Sequence, residues 1–247
     1  MACWALLLDL LLECPLLRGY AETGKVGFGI NHEMRDFKTG RKKDLDLVLC
    51  TPGSGLATKK RVTFSTLADQ YGIALNTLER TKLDQLPELL RTPVGTVHIA
   101  VEAKAVMTAH VKALPRLYDE LNSSHQAIHG SADFAIAAGF VVINFASTFV
   151  SPGMNKNPME PTRAINAHQQ PKDVIRTIEK VLEIPRRTQS GTEGFDAVGV
   201  LVIEMQNDGS QVNLLLNEPA PQYGEVIHYD EMVRRIGALY AVKFANL

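Results

Sequence analysis

Thr96-Val97-His98-Ile99-Ala100-Val101-Glu102-Ala103-Lys104 is the stretch that decides how this chain is read. Its apolar, largely β-branched residues predict a strand over 96–102 that ends on charge. Strand side chains alternate with period two, so Glu102 and Lys104 project from one face. His98 shares that face in an ideal strand. A helix is expected directly behind, over 105–122. There Val106, Ala109, Ala113, Leu117 and Leu121 fall at helical spacing, with a kink or restart at Pro115.

Upstream, Asp44-Leu45-Asp46-Leu47-Val48-Leu49 reads as a second apolar strand, entered through a basic turn at 39–43. Asp44 and Asp46 share a face by the same period. If the two strands pair, one or two aspartates, Glu102 and Lys104 converge at the sheet end. The rest of the chain alternates helices and strands. A nearly all-apolar helix covers 4–18, with Asp9 and Glu13 on its polar stripe, and a strand covers 25–32. Two short helices fall within 65–90 around Gly72, and a buried strand covers 139–145. A helix over 171–184 precedes strands 197–205 and 211–217, joined through Asn207-Asp208-Gly209. A last helix covers 230–242. This order predicts one α/β domain over 1–247, a mixed central sheet flanked by helices, with a helical insertion at about 62–92.

The converging residues suit phosphodiester hydrolysis. Mg2+ takes oxygen ligands and keeps several waters. Asp46 and Glu102 offer carboxylates, and the Ala103 backbone carbonyl offers a third oxygen. Such a cation polarises a phosphate and acidifies a bound water. Lys104 would orient or deprotonate that water and offset charge in the transition state. D…E-x-K on adjacent strands, followed by a helix, resembles the PD-(D/E)xK nuclease superfamily, the restriction-endonuclease-like fold, over roughly residues 4–146. The resemblance implies Asp46 and Glu102 as metal ligands, Lys104 as the catalytic lysine, and Glu13 as a further acid on the first helix. It further implies Mg2+, for which Mn2+ can substitute, and a DNA endonuclease of restriction or phage-defence type. Two departures stand: Leu45, not proline, precedes Asp46, and an insertion separates Asp46 from Glu102. The plain alternative for Glu102 and Lys104 is a salt bridge at a strand end.

Composition narrows the setting. Hydrophobic residues at 45% and charged residues at 21% describe a globular chain rather than a disordered one. The formal net charge of −1 carries no signal for nucleic acid, but its distribution does. Eight basic residues against three acidic ones give 35–61 a net +5. Lys42, Lys43, Lys59, Lys60 and Arg61 are therefore the expected DNA-binding residues. Three cysteines without metal-ligand spacing fit free thiols in a reducing cytoplasm. No stretch reads as a membrane span or a signal segment. Cutting both strands of a duplex calls for two sites, hence an expected homodimer, with further defence-system subunits as possible partners. Thr66 to Leu78 resembles a helix-turn-helix, which keeps a second class of function open: a non-catalytic DNA-binding protein on a degenerate nuclease fold. A plain interaction module is the third. Arg186 and Arg187 read as a solvated loop, and His110 as a core histidine.

Overall fold

The computed structural model describes residues 1–54, 62–156 and 163–247. A six-stranded sheet organises them. Strand β1 (Gly27–Arg35) forms a hairpin with β2 (Lys42–Pro52), which pairs antiparallel with β3 (Val94–Val106). Next come β4 (Ile136–Asn144), parallel to β3, and β7 (Ala197–Glu204), parallel to β4. A two-residue β8 (Asn213–Leu214) closes the edge antiparallel to β7. The mixed sheet flanked by helices is thus observed. Asn207 and Gly209, both at positive φ, lie in the connection from β7 to β8, which is a loop over 205–212 rather than the tight turn expected, and the expected strand over 211–217 shortens to Asn213–Leu214. A separate small antiparallel pair, β5 (Thr148–Val150) with β6 (Ile165–Ala167), has no counterpart in the sequence reading.

Apolar side chains leave the sheet on both faces, so helices cover both. One layer holds α1 (Ala2–Glu13), α2 (Pro15–Glu22), α3 (Phe64–Gln70), α4 (Thr77–Asp84) and α7 (Tyr229–Lys243) over Phe28, Leu47, Leu49, Ile99 and Val101. The other holds α5 (His110–Ser131) and α6 (Lys172–Leu182) over Val48, Ala100, Val141, Ile143 and Val200. The expected helix at 4–18 breaks at Cys14, whose extended backbone ends α1 and lets Pro15 begin α2. The insertion forms its two helices, and Gly72 turns between them at φ 61°. Trp4 anchors α3 to α1: its indole N–H donates to Phe64 O at 3.0 Å and its ring stacks on Phe64 at 4.7 Å. No helix among the described residues is long and apolar enough to cross a membrane.

Three local expectations are corrected. Strand β3 runs on to Val106, so α5 starts only at His110, and Pro115 lies within α5 rather than interrupting it. A register shift between Leu49↔Ile99 and Cys50↔Val97 leaves His98 as an extra residue. His98 therefore turns to α7, stacking on Phe244 at 4.5 Å, away from the face Glu102 uses. Arg187 is no solvated loop residue; it is buried, paired with Asp196 at 3.0 Å and Asp133 at 3.1 Å. His110 is the expected core histidine, its Nε2 lying 2.8 Å from Asn144 O.

Candidate active site

The β2–β3 ladder stops at Leu47↔Val101. Beyond it, the Ala103 amide donates to the Asp46 carboxylate, Oδ2 at 2.7 Å. A side chain thus takes over where backbone pairing ends, and Asp46 sits in the gap as the strands part. The hairpin prepares this. Asn31 is at φ 52° and drops out of the β1–β2 ladder between Ile30↔Leu47 and His32↔Leu45, while the register continues unchanged. Around it Leu45 packs with the α5 layer while Leu47 packs with the α1 layer, although strict alternation would give them one face. Asp46 lies at that switch of faces.

Glu102 is 2% exposed. Its Oε1 meets the Lys104 ammonium at 2.5 Å, and its Oε2 is buried with no hydrogen-bond partner. Burial raises the Glu102 pKa, and the nearby Asp46 charge raises it further against the pull of Lys104. The two carboxylates therefore feel one another. An unpartnered buried carboxylate oxygen is costly, and a cation, a water or a proton would each offset that cost. Lys104 also bonds Glu120 of α5 at 2.9 Å. Partial burial works against its charge, yet both carboxylates hold its pKa above the usual lysine value. Lys104 is thus held between two carboxylates as a hydrogen-bond donor and a positive charge. Glu120 is partly desolvated, but hydrogen bonds from Arg116 and Lys104 hold it at about 2. Sequence reasoning missed Glu120, because its partnership with Lys104 is purely spatial; its i,i+4 pairing with Arg116 was the only local signal.

The remaining expected site residues divide. Cys3, near the start of α1, is the α1 side chain whose thiol senses both acids. Burial first, then Asp46 and Glu102, push it up to about 12. Glu13 lies ten residues further, about 15 Å along the helix, exposed beside Gly237 of α7. Glu13 is thereby displaced from the site, since α1 enters it with its other end. Asp44 stays exposed on the hairpin opposite Glu33. Lys43 is half-buried and close enough to favour the Glu102 charge, whereas Lys42 is exposed and pairs with Glu33 at 2.8 Å. Lys59, Lys60 and Arg61 lie outside the described residues.

Among the described residues no three His, Cys, Asp or Glu side chains form a ready-made metal cluster. The donor set is leaner: two carboxylates and the backbone between Glu102 and Lys104. That suits a hard cation which keeps water, and does not suit zinc. No family model, curated protein or solved structure matches this chain, so the geometry alone supports a functional reading.

Proposed function

We propose that this chain is a Mg2+-dependent nuclease that hydrolyses DNA phosphodiester bonds, with Asp46, Glu102 and Lys104 as its catalytic set on a restriction-endonuclease-like domain. The observation that carries the reading is the buried, unpartnered Oε2 of Glu102, on a carboxylate whose other oxygen meets the Lys104 ammonium and which feels the charge of Asp46. Asp46 and Glu102 would hold the cation, with the Ala103 carbonyl as a third candidate ligand. When bound, Mg2+ or Mn2+ supplies Lewis acidity toward a phosphate oxygen and a more acidic water.

The protein's own residues do the rest. Glu120 and Glu102 fix the Lys104 ammonium between them, so it reaches the reacting phosphate already oriented and charged. Its role is to orient the attacking water and to steady the negative charge that builds on the phosphate. Lys43 adds positive charge where the strand backbone would lie. The helix-turn-helix-like pair fits DNA reading poorly, because α4 carries Glu79 and Asp84 against Arg80 and Lys82, and Arg80 is paired with Asp69 at 3.3 Å. A cytoplasmic homodimer acting in phage defence remains the setting this reading favours.

The test uses supercoiled plasmid and oligonucleotides with Mg2+, Mn2+ or chelator. Cleavage that requires the cation and is lost in Glu102→Gln is the expected result. Wild-type protein that binds DNA without cutting it under any cation would leave the non-catalytic reading in its place.

A further inference from the structure

Asp46 faces a second feature besides the carboxylate pair. It lines a cavity of about 280 Å3 whose walls set four rings among aliphatic side chains such as Leu7, Ile30 and Leu67: Trp4 of α1, Phe28 of β1, and Phe64 and Tyr71 from α3 and its C-terminal cap. Asn31, exposed and at φ 52°, adds an amide at the rim. Trp4 and Phe64 are locked in place, stacked at 4.7 Å with the indole N–H satisfied by Phe64 O. Tyr71, by contrast, is 53% exposed at the mouth. At about 280 Å3 the cavity is at the small end of ligand pockets, roughly 300–1,000 Å3, a size suited to one ring system. A flat apolar group stacks well on such walls, and every nucleobase has a π-face.

We infer that this cavity receives a single unpaired nucleobase of the strand being cut, next to the phosphate held at Asp46. The inference rests on the nuclease reading for the identity of its ligand, and adds the substrate class: single-stranded DNA, or a duplex position where a base is extruded. A paired base cannot enter, since its faces are stacked on its neighbours and its edge is bonded to its partner. Asp46 lines the cavity and also accepts from the Ala103 amide, between Glu102 and Lys104 in the chain, so a base in the cavity would place its own phosphate toward that strand end. Tyr71 acts here as a positioning residue that closes on the base from the solvent side.

Trp4 is the chain's one tryptophan, and it lines the cavity, so its fluorescence reports occupancy. The experiment titrates wild-type protein in Ca2+ with a short single-stranded oligonucleotide, with copies abasic at one position each, and with the matching duplex. The expected result is quenching by the single strand, lost with one particular abasic copy and much weaker with the duplex. Tyr71→Ala should weaken single-strand binding at least about fivefold, the lower end for one stacked base, while Tyr71→Phe retains it. Its exposure makes Tyr71→Ala a mild change for the fold, which circular dichroism checks. Unchanged fluorescence, with equal affinity for intact and abasic strands, overturns the inference. Cleavage assays on the same oligonucleotides separate the two readings. Cutting that ignores the abasic site and Tyr71 removes the base pocket and keeps the nuclease. Quenching without cutting keeps the pocket and removes the nuclease.

Discussion

Glu102 and Lys104 make opposite demands on the fold, and that contrast separates function from packing. A structural salt bridge would be optimised for its own stability. Here Glu102 is buried near a second acid, and one of its oxygens has no partner. Glu102→Gln removes the charge, the repulsion from Asp46 and most of the desolvation cost while keeping the shape. The expected outcome is a melting temperature equal to or above wild type, together with a loss of cleavage of at least about 10²-fold. A clear fall in melting temperature in that variant would instead mark the pair as structural. Lys104→Ala should behave differently. It leaves Glu102 buried without its cation, so stability falls by roughly 1–3 kcal/mol, below the 3–5 kcal/mol of a fully buried pair because the Lys104 side chain is 25% exposed. Combining it with Glu102→Gln should recover most of that loss, and urea titration of the single and double variants reads the coupling. A double variant no more stable than Lys104→Ala would show that the lysine's contribution lies elsewhere.

At the scale of elements, the strands were the legible part of the sequence. Their apolar runs are long, and burial on both faces left little choice of period, so β2, β3, β4 and β7 fall where the pattern placed them. The irregularities that build the site were not legible. The bulge at His98 and the switch of faces at Asp46 depend on how neighbouring strands register, which no single strand encodes. The same holds for Glu120 and Glu13. Which acid reaches Lys104 depends on where α5 crosses the sheet and which end of α1 enters, not on spacing along the chain. The basic hairpin illustrates the limit well, because Lys42 and Lys43 are neighbours in sequence but differ in their surroundings. Lys42 is matched by Glu33 at the surface, while Lys43 projects its charge toward Glu102. Lys43→Gln should therefore lower the slope of log binding constant against log salt by about one unit, and Lys42→Gln by clearly less, since Glu33 already offsets that charge. Fluorescence anisotropy on a labelled oligonucleotide across a salt series measures both. Equal slopes for Lys43→Gln and wild type would place Lys43 off the nucleic-acid path.

For the molecule as a whole, two packed layers share one sheet, and each layer buries neutral histidine. His98 lies under α7, bonded to Thr51 at 2.9 Å and to Tyr240 at 3.2 Å. His125 and His129 lie on the α5 side, both bonded to the backbone of Gly194. Burial lowers all three to about 4, and for His129 the charge of Arg187 adds to it. In the unfolded chain each returns to about 6.5. Below that value the unfolded state binds protons that the folded state refuses, so stability rises with pH across this interval. The contribution is complete above about pH 6.5, is lost as pH falls toward about 4, and does not change further below. Glu120, held at about 2, exerts its pull only at lower pH, from the ordinary carboxylate range downward, while half-buried His32 and buried His110, lowered by burial as well, add to the slope and Glu102, raised by burial, opposes it. The melting temperature should therefore fall steadily between about pH 6.5 and pH 4.5. His98→Asn keeps a hydrogen-bonding side chain but no titrating ring. It should lower the melting temperature at neutral pH through lost packing, yet flatten its dependence on pH, because one of the rings that burial holds neutral is gone. Differential scanning fluorimetry at closely spaced pH values distinguishes the two effects, because packing shifts the whole curve and titration changes its slope. A His98→Asn curve parallel to wild type throughout would show that this ring is not among the groups that refuse the proton.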